Sequence, residues 1–289
     1  MQWIDLHLHS TYSDGSMTPA QLIDLAVRRR IAAIALTDHD TVAGVGEFLA
    51  YAQEQPVKAM SGIEISSWHG DHSLHILGYG LDHRHPGLLA TLAQVQEARH
   101  RRNLQIMVKL NELGHDVHYH EIPRRENGQV GRPHIAELLV RKRIVAAPQE
   151  AFSRFLRRGG AAYVESFRIH ALDAIRLVKA AGGLPVLAHP AVLDSTLALV
   201  AKLLPELREA GLAGLEIHYP SHSKKQTRQL SELAARFSLL ATGGTDFHGE
   251  FRLGGAPLGG NFRTIRVPWS CFAALTRRLT QPAPAATPA

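Results

Sequence analysis

The sequence predicts an α/β protein on a mainly parallel sheet, interrupted by a helical insertion. Three observations carry this expectation. Short apolar runs alternate with amphipathic helical stretches from Trp3 to Leu81, the alternation resumes at Gly182, and strand signals vanish in between.

The elements follow in order. WIDLHLH (3–9) reads as a first strand and PAQLIDLAVRRR (19–30) as a helix, with Pro19 in its first turn and Thr18 as N-cap. AAIALTDHD (32–40) is the second strand, and the helical stretch through Glu54 begins loosely at Gly44 and Gly46. VKAMSGIEIS (57–66) and SLHILGYGL (73–81) supply two more strands. From Pro86 to about Ser166 only helical patterns appear, in LLATLAQVQEARHRRNLQIMVKLNELG and PHIAELLVRKRIV, rich in Arg and Lys. GGLPVLAHP, AGLAGLEIHYP and FSLLATGGTDFH complete seven strand candidates, and QPAPAATPA (281–289) reads as a frayed tail.

Composition narrows the class. With 45% hydrophobic and 20% charged residues over 289 positions, the chain is a folded protein rather than a disordered one. Cys271 is the only cysteine, which excludes an intrachain disulfide and disfavours a thiolate-rich metal site. MQWIDLHLHS has no secretory pattern and no run of about 18 apolar residues occurs, so a cytoplasmic protein without a membrane partner is expected. The net charge of +6 admits a nucleic-acid-binding module. The basic residues concentrate in one segment, however, while another pattern runs through the whole chain.

That pattern is metal-type. His7 and His9 lie two apart on the first strand and leave it on one face. Asp14 follows in STYSDGS, His39 in TDHD, Glu64 in GIE, His75 in HILGYG, His189 in AHP, and Asp246 and His248 in GTDFHG. One strand-end histidine is ordinarily a hydrogen-bonded scaffold residue. Nine such positions at the carboxyl ends of successive strands point instead to a shared metal site, and a donor set without cysteine suits zinc, manganese or iron.

DLHLHSTYSDG, TDHD, GIE, HILGYG, AHP and GTDFHG together resemble the polymerase and histidinol phosphatase (PHP) family. The resemblance implies a distorted (β/α)7 TIM-like barrel at 1–85 and 167–280, a helical insertion at 86–166 over the active site, and three divalent ions, manganese foremost. It places His7, His9, Glu64 and Asp246 around one ion, has Glu64 bridge to a second held by His75 and His189, and gives the third to Asp14, His39 and His248. Glu64, Asp246 and His248 are expected to act in catalysis, and His248 also to meet substrate. Three divalent ions against three carboxylates leave about +3, which favours a phosphate dianion.

GRPHIAELLV within the insertion resembles the bacterial 3',5'-nucleoside bisphosphate phosphatases, relatives of which are 5'-to-3' exoribonucleases on short RNA. The implied reaction removes the 3'-phosphate and leaves a nucleoside 5'-monophosphate. Histidinol-phosphate phosphatase and metal-dependent amidohydrolase are the alternatives. Arg99, His100, Arg101 and Arg102 are candidates for clamping a second phosphate, Arg99 and Arg102 sharing a helix face. Arg132 and His134 open the next helix, where free backbone donors also favour an anion.

Asp38 and Asp40 are expected to orient imidazoles. His218, Ser221 and His222 are open between substrate contact and scaffold. His69, His72, His83, His85, His115, His118 and His120 read as surface or structural, and Arg141, Lys142 and Arg143 as a solvated helix end.

Overall fold

The computed structural model describes residues 2–122, 128–165, 167–249, 255–261 and 265–281. Of the tail expected at 281–289, only Gln281 is among them. The chain opens with β1 (Trp3–Leu8), α1 (Pro19–Arg28), β2 (Ala33–Leu36) and α2 (Val45–Ala52). Thr18 caps α1 through a reciprocal pair: its hydroxyl accepts from the Gln21 amide at 3.2 Å, and the Gln21 side chain accepts from the Thr18 amide at 2.9 Å. No side chain caps α2, which starts after Gly44.

β3 (Lys58–His69) and β4 (His72–Tyr79) form a hairpin, and this departs from the expected parallel order. Only Gly70 and Asp71 connect them, whereas a parallel crossover needs a dozen residues or more, so the link can only reverse the chain. Gly70 takes the left-handed conformation that this reversal needs.

The helical segment holds α3 (Pro86–Glu112), α4 (Arg132–Arg141) and α5 (Pro148–Ala151), the last continuing into a π-helical turn at Phe152–Leu156. Then come β5 (Ile169–His170), α6 (Ala171–Ala180), β6 (Leu184–Leu187), α7 (Pro190–Leu193), α8 (Ala198–Ala210), β7 (Gly214–His218), α9 (Lys224–Arg236), β8 (Leu240–Gly243), β9 (Val267–Pro268) and α10 (Trp269–Thr280). The two-residue strands β5 and β9 are too short to carry a periodic signal, and the sequence did not announce them.

The sheet runs β8-β7-β6-β4-β3-β2-β1-β9, with β5 beside β3. β4 is antiparallel to both neighbours, and β9 is antiparallel to β1. The ring nearly closes where His9 N donates to Phe247 O at 2.9 Å and Phe247 N to His7 O at 3.2 Å. Gly244 permits that approach, because a Cβ there would stand 2.4 Å from the His7 nitrogen. The result is a distorted barrel.

Leu22, Ile23, Ile34, Phe48, Val178 and Leu204 belong to the main core between sheet and helices. A separate core of Ile106, Leu110, Ile135, Leu139 and Phe155, all buried, packs the helical segment on itself. That packing gives α3 and α4 a rigid base beside the barrel mouth.

Candidate metal centre and anion cleft

Residue alternation on β1 sends His7 and His9 to one side, both fully buried. Glu64 projects from β3 between them. Its Oε2 lies 3.2 Å from His7 Nε2, 3.2 Å from His9 Nε2 and 3.1 Å from His39 Nδ1. Its Oε1 lies 2.7 Å from His75 Nδ1 and 3.0 Å from His189 Nε2. The two carboxylate oxygens thus face different groups of imidazoles, the geometry a bridging carboxylate requires. Asp246 Oδ1 stands 3.0 Å from His9 Nε2 and 3.5 Å from His7 Nε2, while Asp14 Oδ1 stands 3.2 Å from His248 Nε2.

All nine metal-type residues therefore converge. The donor atoms of eight of them form three sets: His7, His9, Glu64 and Asp246; His9, Asp14, His39 and His248; and His39, Glu64 and His75. Two departures from the implied grouping appear. His9 joins the set around Asp14, and His39 rather than His189 completes the set with Glu64 and His75, although His189 touches the same carboxylate oxygen.

The donor atoms fit divalent ions. His7 Nε2, His9 Nε2, His39 Nδ1, Glu64 Oε2 and Asp246 Oδ1 are buried and have no hydrogen-bond partner among the described residues. Orphaned buried polar atoms are costly in themselves. Donors each about 2.0–2.2 Å from a common ion stand roughly 3.0–3.5 Å apart, the spacing found here.

The buried carboxylates and imidazoles shift one another strongly. Burial pushes the Glu64 carboxyl up, but the imidazoles of His39, His7 and His75 outweigh it and hold the group well below the usual carboxylate range. The same balance, with His248 foremost, holds Asp14 and Asp246 down. Burial takes His39 down to about 3, whereas at His7 and His9 the neighbouring carboxylates outweigh burial and push the imidazoles up, His9 to about 10.

The supporting residues differ from those expected. Asp38 accepts from Ser10 N at 2.7 Å and Ser10 Oγ at 2.6 Å and binds Ser13 Oγ, so it holds the STYSDGS loop rather than an imidazole. Asp40 accepts from Ser66 N at 2.7 Å and pairs with Arg99. The carboxylate that orients an imidazole is Glu216 on β7, which accepts from His7 Nδ1 at 2.9 Å and from the His189 amide at 2.7 Å. The second bond steadies a strained backbone: His189 has φ +28°, and Asp40 and Asp246 also take positive φ. Tyr219 donates to Asp246 Oδ2 at 2.9 Å, leaving Oδ1 toward the imidazoles. Neither Glu216 nor Tyr219 stood out in the sequence, because their partners are distant along the chain.

His222 is used by the scaffold: Nδ1 donates to Ile217 O at 3.0 Å and Nε2 accepts weakly from Ala191 N at 3.4 Å. Ser221 and His218 lie outside the cleft described next. His85 serves as N-cap of α3, accepting from Leu88 N at 3.2 Å.

A cleft of about 200 Å³ opens from Asp14, His39 and His75 toward Arg99, Arg102, Arg132 and Arg168. Arg99 and Arg102 face it from α3, as their three-residue spacing required. The same helical rotation turns His100 and Arg101 away, a correction to their expected role in binding substrate. His100 meets the Tyr119 hydroxyl at 3.1 Å, and Arg101, 68% exposed, pairs with Glu97. Arg132 lines the cleft and donates to Leu156 O at 3.1 Å. Burial, with Arg99 and Arg132 beside it, pushes Arg102 down to about 9, the mark of crowded cations. His134 does not border this cleft. It lines a neighbouring cavity with Asp14 and Glu137, and its Nδ1 accepts from Gly131 N at 3.0 Å. Arg168 is the cleft cation that sequence reasoning missed; it lies past the expected insertion boundary, in no recognised motif.

The PHP domain profile matches residues 5–143. The chain is 35% identical to a 5'-3' exoribonuclease of Haemophilus influenzae over 90% of its own length and 94% of the relative's. It is also 35% identical to a phosphoribosyl 1,2-cyclic phosphate 1,2-diphosphodiesterase of Eggerthella lenta (86% and 94% covered) and to a 3',5'-nucleoside bisphosphate phosphatase of Chromobacterium violaceum (85% and 87%). The structure of a proposed metal-dependent phosphoesterase from Bifidobacterium adolescentis superposes with a TM-score of 0.85 at 28% identity, covering 96% of each chain. The barrel, the convergent donors and these likenesses lead to one conclusion: this chain belongs to the PHP domain family.

Proposed function

We propose that the protein hydrolyses the 3'-phosphate of nucleoside 3',5'-bisphosphates, giving nucleoside 5'-monophosphate and phosphate, and trims short RNA from a phosphorylated 5' end by the same chemistry. One observation carries the reading: Asp14, His39 and His75 of the donor basin line a single cleft together with Arg102, Arg132 and Arg168. A substrate with two phosphates a ribose apart satisfies both. The relatives named for bisphosphate and RNA substrates support it.

Three divalent ions are proposed, manganese foremost, with zinc or iron as alternatives. His7, His9, Glu64 and Asp246 would hold one, Glu64 with His75 and His189 a second, and Asp14, His39 and His248 a third, with His9 a further donor beside that last group. When bound, the ions supply Lewis-acid charge and an activated water for in-line attack at phosphorus. Glu64, whose two oxygens face different imidazoles, would contribute to two of these groups. Asp246, steadied by Tyr219, and His248 hold the reacting phosphate's side of the basin. Arg102, Arg132 and Arg168 bind the phosphate that does not react, while Arg99 braces Asp40. This positions the scissile group without a protein nucleophile, so neither Ser10 nor Cys271 is needed. Residues 86–166 act as an insertion that completes the cleft. No helix among the described residues is long and apolar enough to cross a membrane, and a single buried cysteine suits a cytoplasmic setting.

The test is turnover, with added manganese, of adenosine 3',5'-bisphosphate, 5'-phosphorylated short RNA, histidinol phosphate and an amide panel. The bisphosphate is expected to have the highest kcat/KM. A preference for histidinol phosphate or an amide overturns the reading.

A further inference from the structure

We propose that the groove between the β3–β4 hairpin and the 167–168 segment is the seat of the nucleobase, with Trp68 as its stacking platform; this rests on the nucleotide reading above. On β3, Glu64, Ser66 and Trp68 alternate onto one face, opposite Leu77, His75 and Ser73 of β4. At about 3.3 Å per residue, Trp68 stands roughly 13 Å beyond Glu64 along this face. The face passes from metal-type donors at Glu64 and His75, through Ser66 and Ser73 in the anion cleft, to an aromatic ring.

Trp68 lines a second cavity, of about 390 Å³, which shares Phe167 and Arg168 with the cleft. The two spaces are therefore neighbours across these two side chains. Trp68 is 43% and Phe167 56% exposed, unusual for large apolar side chains. The indole is nevertheless fixed, since Nε1 donates to Arg168 O at 3.1 Å and the ring meets His170 edge-on at 5.7 Å. A pinned, accessible ring costs little entropy when a planar ligand settles on it.

The direction of the substrate selects the occupant. With one phosphate at the donors and the other at the arginines, the ribose lies across the cleft and its base must leave it. The neighbouring cavity at His134 and Glu137 has no Trp, Tyr or Phe in its wall. The groove at Trp68 has two aromatic side chains, while Asp71 and Glu165 pair with Arg158 and Arg168. Stacking on an indole suits every base, so the seat distinguishes a nucleotide from a baseless sugar phosphate rather than one base from another.

The experiment compares adenosine 3',5'-bisphosphate with its baseless analogue, 1,2-dideoxyribose 3,5-bisphosphate, in the wild type, Trp68→Ala and Trp68→Phe. Trp68→Ala is expected to lose about 5- to 150-fold in kcat/KM on the adenosine substrate, the range for one base–aromatic stack, and little on the analogue. Trp68→Phe keeps a ring without the N–H and should recover most of the loss. Adenosine 5'-monophosphate should quench tryptophan fluorescence in the wild type and not in Trp68→Phe, where Trp3 and Trp269 remain. Equal loss on both substrates, no loss, or no rescue by Phe overturns the seat. Wild-type protein that hydrolyses neither bisphosphate overturns instead the functional reading beneath it.

Discussion

Glu216 accepts a hydrogen bond from His7 Nδ1 at 2.9 Å, and both side chains are wholly excluded from solvent. The bond fixes the tautomer, placing the proton on Nδ1 and the Nε2 lone pair toward Glu64 and Asp246. Its other oxygen receives the His189 amide, so one carboxylate sets two donor side chains. Glu216→Ala is expected to lower metal affinity roughly 10- to 100-fold, the usual effect of losing such an outer partner. Titration calorimetry with manganese on chelator-treated protein reads this directly; an unchanged affinity would show that the bond serves packing alone.

Glu64→Ala should do more damage. Its two oxygens face five imidazoles between them, so removal leaves the imidazole cluster with one buried carboxylate fewer on every side. Elemental analysis is expected to find fewer metal equivalents per chain than in the wild type, with phosphatase turnover close to background. Full occupancy and turnover in this variant would refute the bridging role.

Metal removal should register in stability as well as in activity. An ion present at 100 times its dissociation constant stabilises the folded state by about 2.7 kcal/mol, which in a chain of this size corresponds to roughly 5–10 °C in melting temperature. Chelation should lower the calorimetric midpoint by that order, and manganese should restore it. A midpoint indifferent to chelator would detach the donor basin from metal binding.

The convergence of the nine metal-type residues was legible because strand alternation and strand-end position are local properties: His7 and His9 two apart, Asp246 and His248 after an apolar run. The hairpin was less legible. SLHILGYGL looks the same whether its neighbour runs parallel or antiparallel, and only the two-residue link at Gly70 and Asp71 settles the direction. The supporting residues were illegible for another reason. Glu216 serves His7 across 209 positions, Tyr219 serves Asp246, and Arg168 reaches the cleft from beyond the helical segment. No spacing rule links residues that meet only when the barrel closes. Within the RHRR run, by contrast, helical geometry alone separates inward Arg99 and Arg102 from outward His100 and Arg101.

That separation makes a paired prediction. Arg102→Ala and Arg132→Ala should each lower kcat/KM for a bisphosphate by about 10- to 150-fold, the loss of one charge-assisted contact at roughly 1.5–3 kcal/mol. A simple aryl phosphate, which has nothing for the arginines to hold, should be hydrolysed almost as before. Arg101→Ala should change neither, since its side chain pairs with Glu97 on the outer face. Equal losses on both substrates in the Arg102 and Arg132 variants would assign those residues to the scaffold.

The two ends of the cleft also predict which phosphate leaves. If the arginine wall holds the 5'-phosphate while the donor basin engages the 3'-phosphate, a nucleoside 3',5'-bisphosphate fills both anion sites and a monophosphate only one. Binding energy at the unreactive phosphate is then available to align the reactive one, and its absence should lower the specificity constant sharply. The product keeps the clamped group but loses its hold on the basin, so it dissociates as the 5'-monophosphate. The same arrangement would accept the phosphorylated 5' end of a short RNA and present its first 3'-phosphodiester, so any trimming is expected to run in the 5'-to-3' direction. Phosphorus NMR of the reaction on adenosine 3',5'-bisphosphate distinguishes the products by their coupling to the 5' methylene protons or the single 3' proton. Accumulation of the 5'-monophosphate is expected; accumulation of the 3'-monophosphate would reverse the two phosphate sites and with them the roles of Arg102 and Arg132.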